Sequence, residues 1–225
     1  MNAPLIDKTK MAGLTLKKGG HRSPDAGLCL MEAVAYVCGI DHTDHPACVA
    51  PVLGEMGRSL NDVLPDDLRQ QLVPLVPDLP GTAGDGHDEE RSYTALDWLI
   101  RTWLPTWLEL SPTCREVAAK VRELGRIVDL ASAERAGPVV RNAQETAVAA
   151  GAAARDAARD AAWDAAWDAA GAAAWDAARD AARAAARGAA WDAARAALQP
   201  TVTQLQQSAI ELYSRMVHVG NEHPS

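Results

Sequence analysis

Apolar positions along this chain recur at helical spacing, and no segment alternates apolar and polar residues over enough β-branched positions to make a strand. Ser23 followed by Pro24 reads as a helix opening, and Gly39 as its stop. Between them Leu28, Met31, Ala35 and Cys38 fall on one helix face. A second opening signal, Asp41-His42-Thr43-Asp44-His45-Pro46, leads into a helix through Val49, Leu53, Met56 and Leu60, with Pro51 in an early turn. Asn61 and Asp62 are turn-like. A short helix over 66–73 and a Pro-punctuated stretch over 74–80 precede a surface loop at 81–88. The most apolar stretch is 93–110, where Leu96, Leu99, Trp103 and Trp107 mark one face, Trp98 flanks it, and Pro105 kinks or splits it. Ser111-Pro112 opens a further helix that turns Val117, Val121 and Leu124 inward and stops at Gly125.

The pattern then changes. Residues 151–198 are twelve consecutive four-residue units whose first position is Arg, Trp or Gly and whose second is usually Asp, and alanine fills 27 of those 48 positions. Alanine is the best helix former, so helix is the expected local state. Asp156–Arg159, Asp176–Arg179, Asp180–Arg183 and Asp192–Arg195 stand at i,i+3 spacing, each pair adding about 0.3 kcal/mol. A four-residue period overruns the 3.6-residue turn by about 40° per unit, so the Trp/Arg stripe winds around the axis. An unbroken helix over 139–198 would reach about 90 Å, twice the width of about 45 Å expected for a compact domain of this length. The repeat is therefore either a projecting rod or, as favoured here, a hairpin broken near Gly171. Gly137-Pro138 is the expected start of this region and Pro200 its end. A last amphipathic helix over 201–218 carries Val202, Leu205, Ala209, Leu212 and Met216.

These elements predict an all-α fold with no β-sheet. A flexible segment (1–22) precedes a helical domain (23–130), long Ala-rich helices (138–198) packed with it, and the terminal helix. Composition adds little that is functional. The net charge of −8 disfavours nucleic acid or anionic membrane as partners. The apolar runs are too short to span a membrane, and the N-terminus has no secretory apolar core. Cys29, Cys38, Cys48 and Cys114 then fit reduced thiols in a cytoplasm.

Two places offer candidate chemistry. Trp163, Trp167, Trp175 and Trp191 of the repeat either pack against Trp98, Trp103 and Trp107 or form an exposed stripe that binds a partner; the neighbouring Asp residues argue against nucleic acid. The densest reactive cluster is Cys29, Glu32, Cys38, Asp41, His42, Asp44, His45 and Cys48. If helical, His42, His45 and Cys48 could present zinc ligands on one side, although there is no CxxC pair and no HExxH. Cys29 near a helix start, with His42 or His45 as base, is a candidate nucleophile. Against both stands the simpler reading of caps, turns and buried thiols. No phosphate loop, dinucleotide fingerprint or other cofactor pattern is present.

The run Ser23-Pro24-Asp25-Ala26-Gly27-Leu28-Cys29-Leu30-Met31-Glu32-Ala33-Val34-Ala35-Tyr36, then Gly39, then Thr43-Asp44-His45-Pro46-Ala47-Cys48, resembles the N-terminal signature of a family of uncharacterised actinobacterial and bacteriophage proteins. Asn61-Asp62, Gly81-Thr82 and Ala95-Leu96-Asp97-Trp98-Leu99-Ile100-Arg101 look like further parts of it, as does the Ala-rich C-terminal repeat. The resemblance implies a phage-related origin and carries no catalytic residue over. The expectation is a non-enzymatic cytoplasmic interaction or assembly protein, self-associating or binding a protein partner without metal or other cofactor. The alternative is a thiol- or metal-dependent enzyme or small-ligand binder built on Cys29, Glu32, Asp44 and His45.

Overall fold

The computed structural model describes residues 5–168 and 175–220, with side chains left out over 153–195. Among the described residues the chain is helical, with no strand, as the apolar periodicity predicts. The helices are α1 (Leu30–Cys38), α2 (Pro51–Val63), α3 (Asp66–Arg69), α4 (Asp88–Trp98), α5 (Leu104–Leu108), α6 (Arg115–Arg122), α7 (Leu130–Asp168) and α8 (Trp175–Val217). Two compact units form: one from residues up to 98 with 127–129 and the chain from 205 onward, the other from 99–126 and 130–204.

In the first unit α1 is buried almost all round. Leu30, Met31, Ala33, Val34 and Val37 join Leu53 and Leu60 of α2, Leu72, Leu75, Val76 and Leu79 of a 3-10 segment (Gln70–Asp78), and Leu212, Tyr213, Met216 and Val217 of α8 in one core. The approach of α2 to its neighbours is close at Gly57. A Cβ added there would lie 2.5 Å from the Tyr213 hydroxyl and 2.9 Å from Met31 Cε. The Tyr213 hydroxyl donates to the Leu53 carbonyl at 3.0 Å.

Buried polar side chains close the ends of these elements. The Arg69 guanidinium donates to the carbonyls of Asn61 (2.6 Å) and Leu64 (2.7 Å), satisfying the C-terminal end of α2, and pairs with Asp66. Arg91 of α4, fully buried, donates through Nε to the Met216 carbonyl (3.0 Å) and grips Asp85 with both terminal nitrogens (2.8 and 2.6 Å). It thereby fixes the 81–88 loop and the last turn of α8 to α4. The loop is anchored a second time by Thr82, whose hydroxyl donates to the Leu79 carbonyl and accepts from Ala50 N–H.

The second unit has a smaller core: Leu108, Cys114, Val117, Ala118 and Val121 against Ala143, flanked by Ile100, Leu104, Val139, Ala147 and Ala150. The sequence pattern predicts one apolar face across 93–110. Instead α4 ends at Trp98 and a π-helical turn, Leu99–Trp103, follows. Pro105 has no N–H to return to residue 101, and the wider turn changes the helical phase. Leu104 and Leu108 consequently pack on the core, while Leu99 and Trp103 (41% exposed) face solvent.

Five features differ from the sequence pattern. The segment 1–22, expected to be flexible, carries a 3-10 turn (Lys8–Met11) and buries Leu16 in the core. The helix signal at Ser23 yields turns, and α1 begins only at Leu30, because Cys29 and Glu32 supply a better cap. Asn61 and Asp62 lie inside α2. Pro138 and Pro200 lie inside α7 and α8 rather than at a start and an end; in helices this long and Ala-rich, loss of one backbone bond is absorbed. The expected break at Gly171 falls outside the described residues. Among those described, no helix is long and apolar enough to cross a membrane.

Two substitutions report on this packing. Gly57→Ala should lower stability by about 1–3 kcal/mol through overpacking against Tyr213 and Met31. Arg91→Met should lower it by about 3 kcal/mol, since Asp85 and the Met216 carbonyl lose their buried donor. Urea unfolding followed by circular dichroism measures both; a change under 0.5 kcal/mol in either would contradict the contacts described.

Candidate functional site

The reactive cluster of the sequence centres, in three dimensions, on Glu32. Its position follows from local helix chemistry. Cys29 is the N-cap of α1: its sulfur accepts the Glu32 N–H at 3.5 Å, and the Glu32 carboxylate reaches back to the Cys29 N–H at 2.7 Å. This is a capping box with Cys where Ser or Thr is usual. The box aims a carboxylate at the N-terminal end of α1, where the helix dipole favours negative charge.

Glu32 is 2% exposed and has further donors. His21 gives it two, its backbone N–H (2.6 Å) and its ring Nδ1 (2.8 Å). His42 Nε2 lies 3.5 Å from the other carboxylate oxygen and 2.9 Å from the His21 carbonyl. A carboxylate and a carbonyl only accept, so His21 carries its proton on Nδ1 and His42 on Nε2. His42 Nδ1 is buried with no partner. Gly27 makes the approach of His21 feasible. Its φ is +141°, and an added Cβ would lie 2.7 Å from Lys17 Cδ and 2.8 Å from His21 Nε2.

Burial on its own would raise the Glu32 pKa. The N–H groups of Cys29 and His21 and the His21 ring outweigh it, and the carboxyl sits below its ordinary value. Cys29 behaves oppositely: burial pushes its thiol up to about 11, so it is not a ready thiolate. The arrangement can hold an imidazole in a defined tautomer, as a general base requires, beside a Cys29 thiol that burial keeps protonated.

Of the four residues singled out as an alternative site, Cys29 and Glu32 are together, whereas Asp44 and His45 pair with each other at the surface (2.7 Å). Residues 40–50 form a loop, so His42, His45 and Cys48 do not share a helix face as the zinc reading required. Among the described residues no group of three or more His, Cys, Asp or Glu side chains is placed to hold a metal ion. The side chains of Trp163, Trp167, Trp175 and Trp191 lie outside the described residues. His21 escapes sequence reasoning because only the turn at Gly27 brings it back to Glu32. No protein-family profile, curated protein or solved structure matches the chain.

Glu32 makes a pH prediction. A depressed carboxyl pKa contributes stability that is fully present above the unfolded value of about 4.3 and is lost as pH falls through the lower folded value. Glu32→Gln should therefore cost about 2–3 kcal/mol at neutral pH, and its difference from the parent chain should shrink as pH falls below about 4. Urea titrations at several pH values read the difference; a constant gap would mean that the charge of Glu32 is not what holds His21 and Cys29.

Proposed function

We propose that this chain is a non-enzymatic helical interaction protein that self-associates through its Ala-rich helices. The observation that carries the reading is α7. This helix runs 39 residues, about 58 Å at 1.5 Å per residue. It packs on the second unit's core through Val139, Ala143, Ala147 and Ala150. Its aliphatic residues Leu130 and Val148 remain 65% and 63% exposed. Small side chains let helices approach closely, and exposed aliphatic residues between them gain from being covered.

The charge balance and the Asp residues of the repeat favour protein over nucleic acid as the partner. The cysteines fit a cytoplasmic location, and the N-terminal signature a phage-related origin. The alternative, a thiol- or metal-dependent site, has less support: Cys29 is buried with a raised pKa, and Asp44 and His45 engage each other elsewhere.

Size-exclusion chromatography with light scattering, run over a range of concentrations, tests the reading. The expected result is a dimer or higher species of the 23.9 kDa chain, with Val148→Glu weakening association about tenfold or more. A monomer at every concentration would overturn it.

A further inference from the structure

Opposite the face that α7 lays on the second unit's core runs a second line of side chains. Ala136, Val139, Ala143, Ala147 and Ala150 are buried or partly buried on the core side. Glu134, Pro138, Arg141, Glu145, Val148 and Ala152 fall within about 40° of one line on the other side, at 3.6 residues per turn. The first five are exposed and Ala152 is half-buried. Leu130, also exposed, continues the line one turn earlier. From Glu134 to Ala152 the steps alternate between four and three residues, the spacing of a seam between two helices wound on each other. Small residues flank the line at Gly137, Ala149 and Gly151. An added Cβ would meet nothing within 4 Å at Gly151, and only the Arg141 side chain at Gly137.

The central charges of this line are not matched within the chain. Arg141 precedes Glu145 by four residues, the weaker order for an ion pair on one helix. The Arg141 guanidinium lies back toward Gly137, 3.3 Å from where a Cβ would stand, and so away from Glu145. Among the described residues the two form no ion pair.

We propose that this seam takes a second copy of the chain, running antiparallel, with Arg141 of each copy paired to Glu145 of the other. The pairing rests on the self-association reading above and adds its orientation and register. The order of positions is self-complementary about Ala143. Turned end for end, the line sets Arg141 against Glu145, Pro138 against Val148 and Glu134 against Ala152 of the second copy. Two opposite-charge pairs then stand at the centre of a two-fold contact, with an apolar pair on either side. Gly137 comes opposite Ala149, which lets the two backbones approach closely.

Other arrangements of the same two helices are less well matched. A parallel pair in register sets Glu134, Arg141 and Glu145 each against its own copy. Sliding the antiparallel pair by one heptad sets Glu134 against Glu145 in one direction, and Glu145 against Val148 in the other. Like charges held face to face are strongly disfavoured. Charge therefore selects the orientation and the register, while Val148, Pro138 and the small flanking residues supply the close contact.

The test follows association of the full chain by light scattering over a range of concentrations, with circular dichroism confirming that each variant keeps its helix content. Arg141→Glu and Glu145→Arg should each weaken association about tenfold or more, because each places two like-charge pairs at the centre. Combining the two substitutions restores opposite pairs and should recover the association of the parent chain. Mixing the two single variants in equal amounts should recover it as well, as a mixed dimer. If the parent associates but neither single reversal weakens it, or the combined variant fails to recover, the antiparallel pairing is overturned and self-association stands. A parent chain that stays monomeric would overturn both.

Discussion

A carboxylate buried at the N-terminal end of α1 must be matched by donors, and meeting that requirement organises the first unit. An unpaired buried charge costs several kcal/mol, so Glu32 cannot occupy its place unless the backbone of Cys29 and both donors of His21 reach it. His21 in turn needs the turn at Gly27, and His42 then covers the His21 carbonyl. One cap thus draws in three stretches of chain. The N-terminal segment packs Ile6, Met11, Leu14 and Leu16 on the core. Polar clamps hold it as well: Gln70 pairs with both backbone groups of Leu16, Asn61 accepts from the Leu30 N–H and donates to the Lys17 carbonyl, and Asp62 accepts from the Gly19 N–H.

This division of labour explains what could be read from the chain. Faces made by repeated apolar positions were legible: Leu53 and Leu60, Val117 and Val121, and Leu205, Ala209, Leu212 and Met216 are all buried. Gly39 was legible as a stop because only a left-handed residue suits it. Polar clamps were not. Asn61 has turn-like chemistry, yet in α2 its amide satisfies groups 31 and 44 residues away, a pairing no local pattern encodes. Cysteine as an N-cap defeats a search for Ser, Thr, Asp or Asn, and it made a nearby Ser-Pro pair look like the start of α1. The candidate cluster was half legible for the same reason. Glu32 and Cys29 lie three residues apart and meet through helix geometry, whereas Asp44 and His45, adjacent in sequence, satisfy each other and leave the site to His21.

The prolines teach a related lesson. Local rules place Pro138 and Pro200 at helix boundaries, but a rule about one residue competes with the propensity of its neighbours. Each proline removes one backbone bond, a cost of about 3 kcal/mol. The alternative, two new helix ends, is still less favourable, because each end leaves several backbone groups to be capped. At Pro105 a π-helical turn, Leu99–Trp103, precedes the proline instead.

The two units therefore rest on different physics. The first is specified by long-range polar contacts around a dense apolar core, and a substitution within it is felt through packing and unmatched charge. The Ala-rich helices owe their local state to propensity and need little burial to persist as helices. An alanine side chain contributes little area to a core, and among the described residues α7 touches the second unit's core through Val139, Ala143, Ala147 and Ala150. What such a helix does offer is length and close approach. Those properties stabilise a fold weakly but suit a surface that meets another helix along many turns. The small side chains of the described half of α7, Ala143, Ala147 and Ala150 among them, are thus the physical argument behind the proposed self-association.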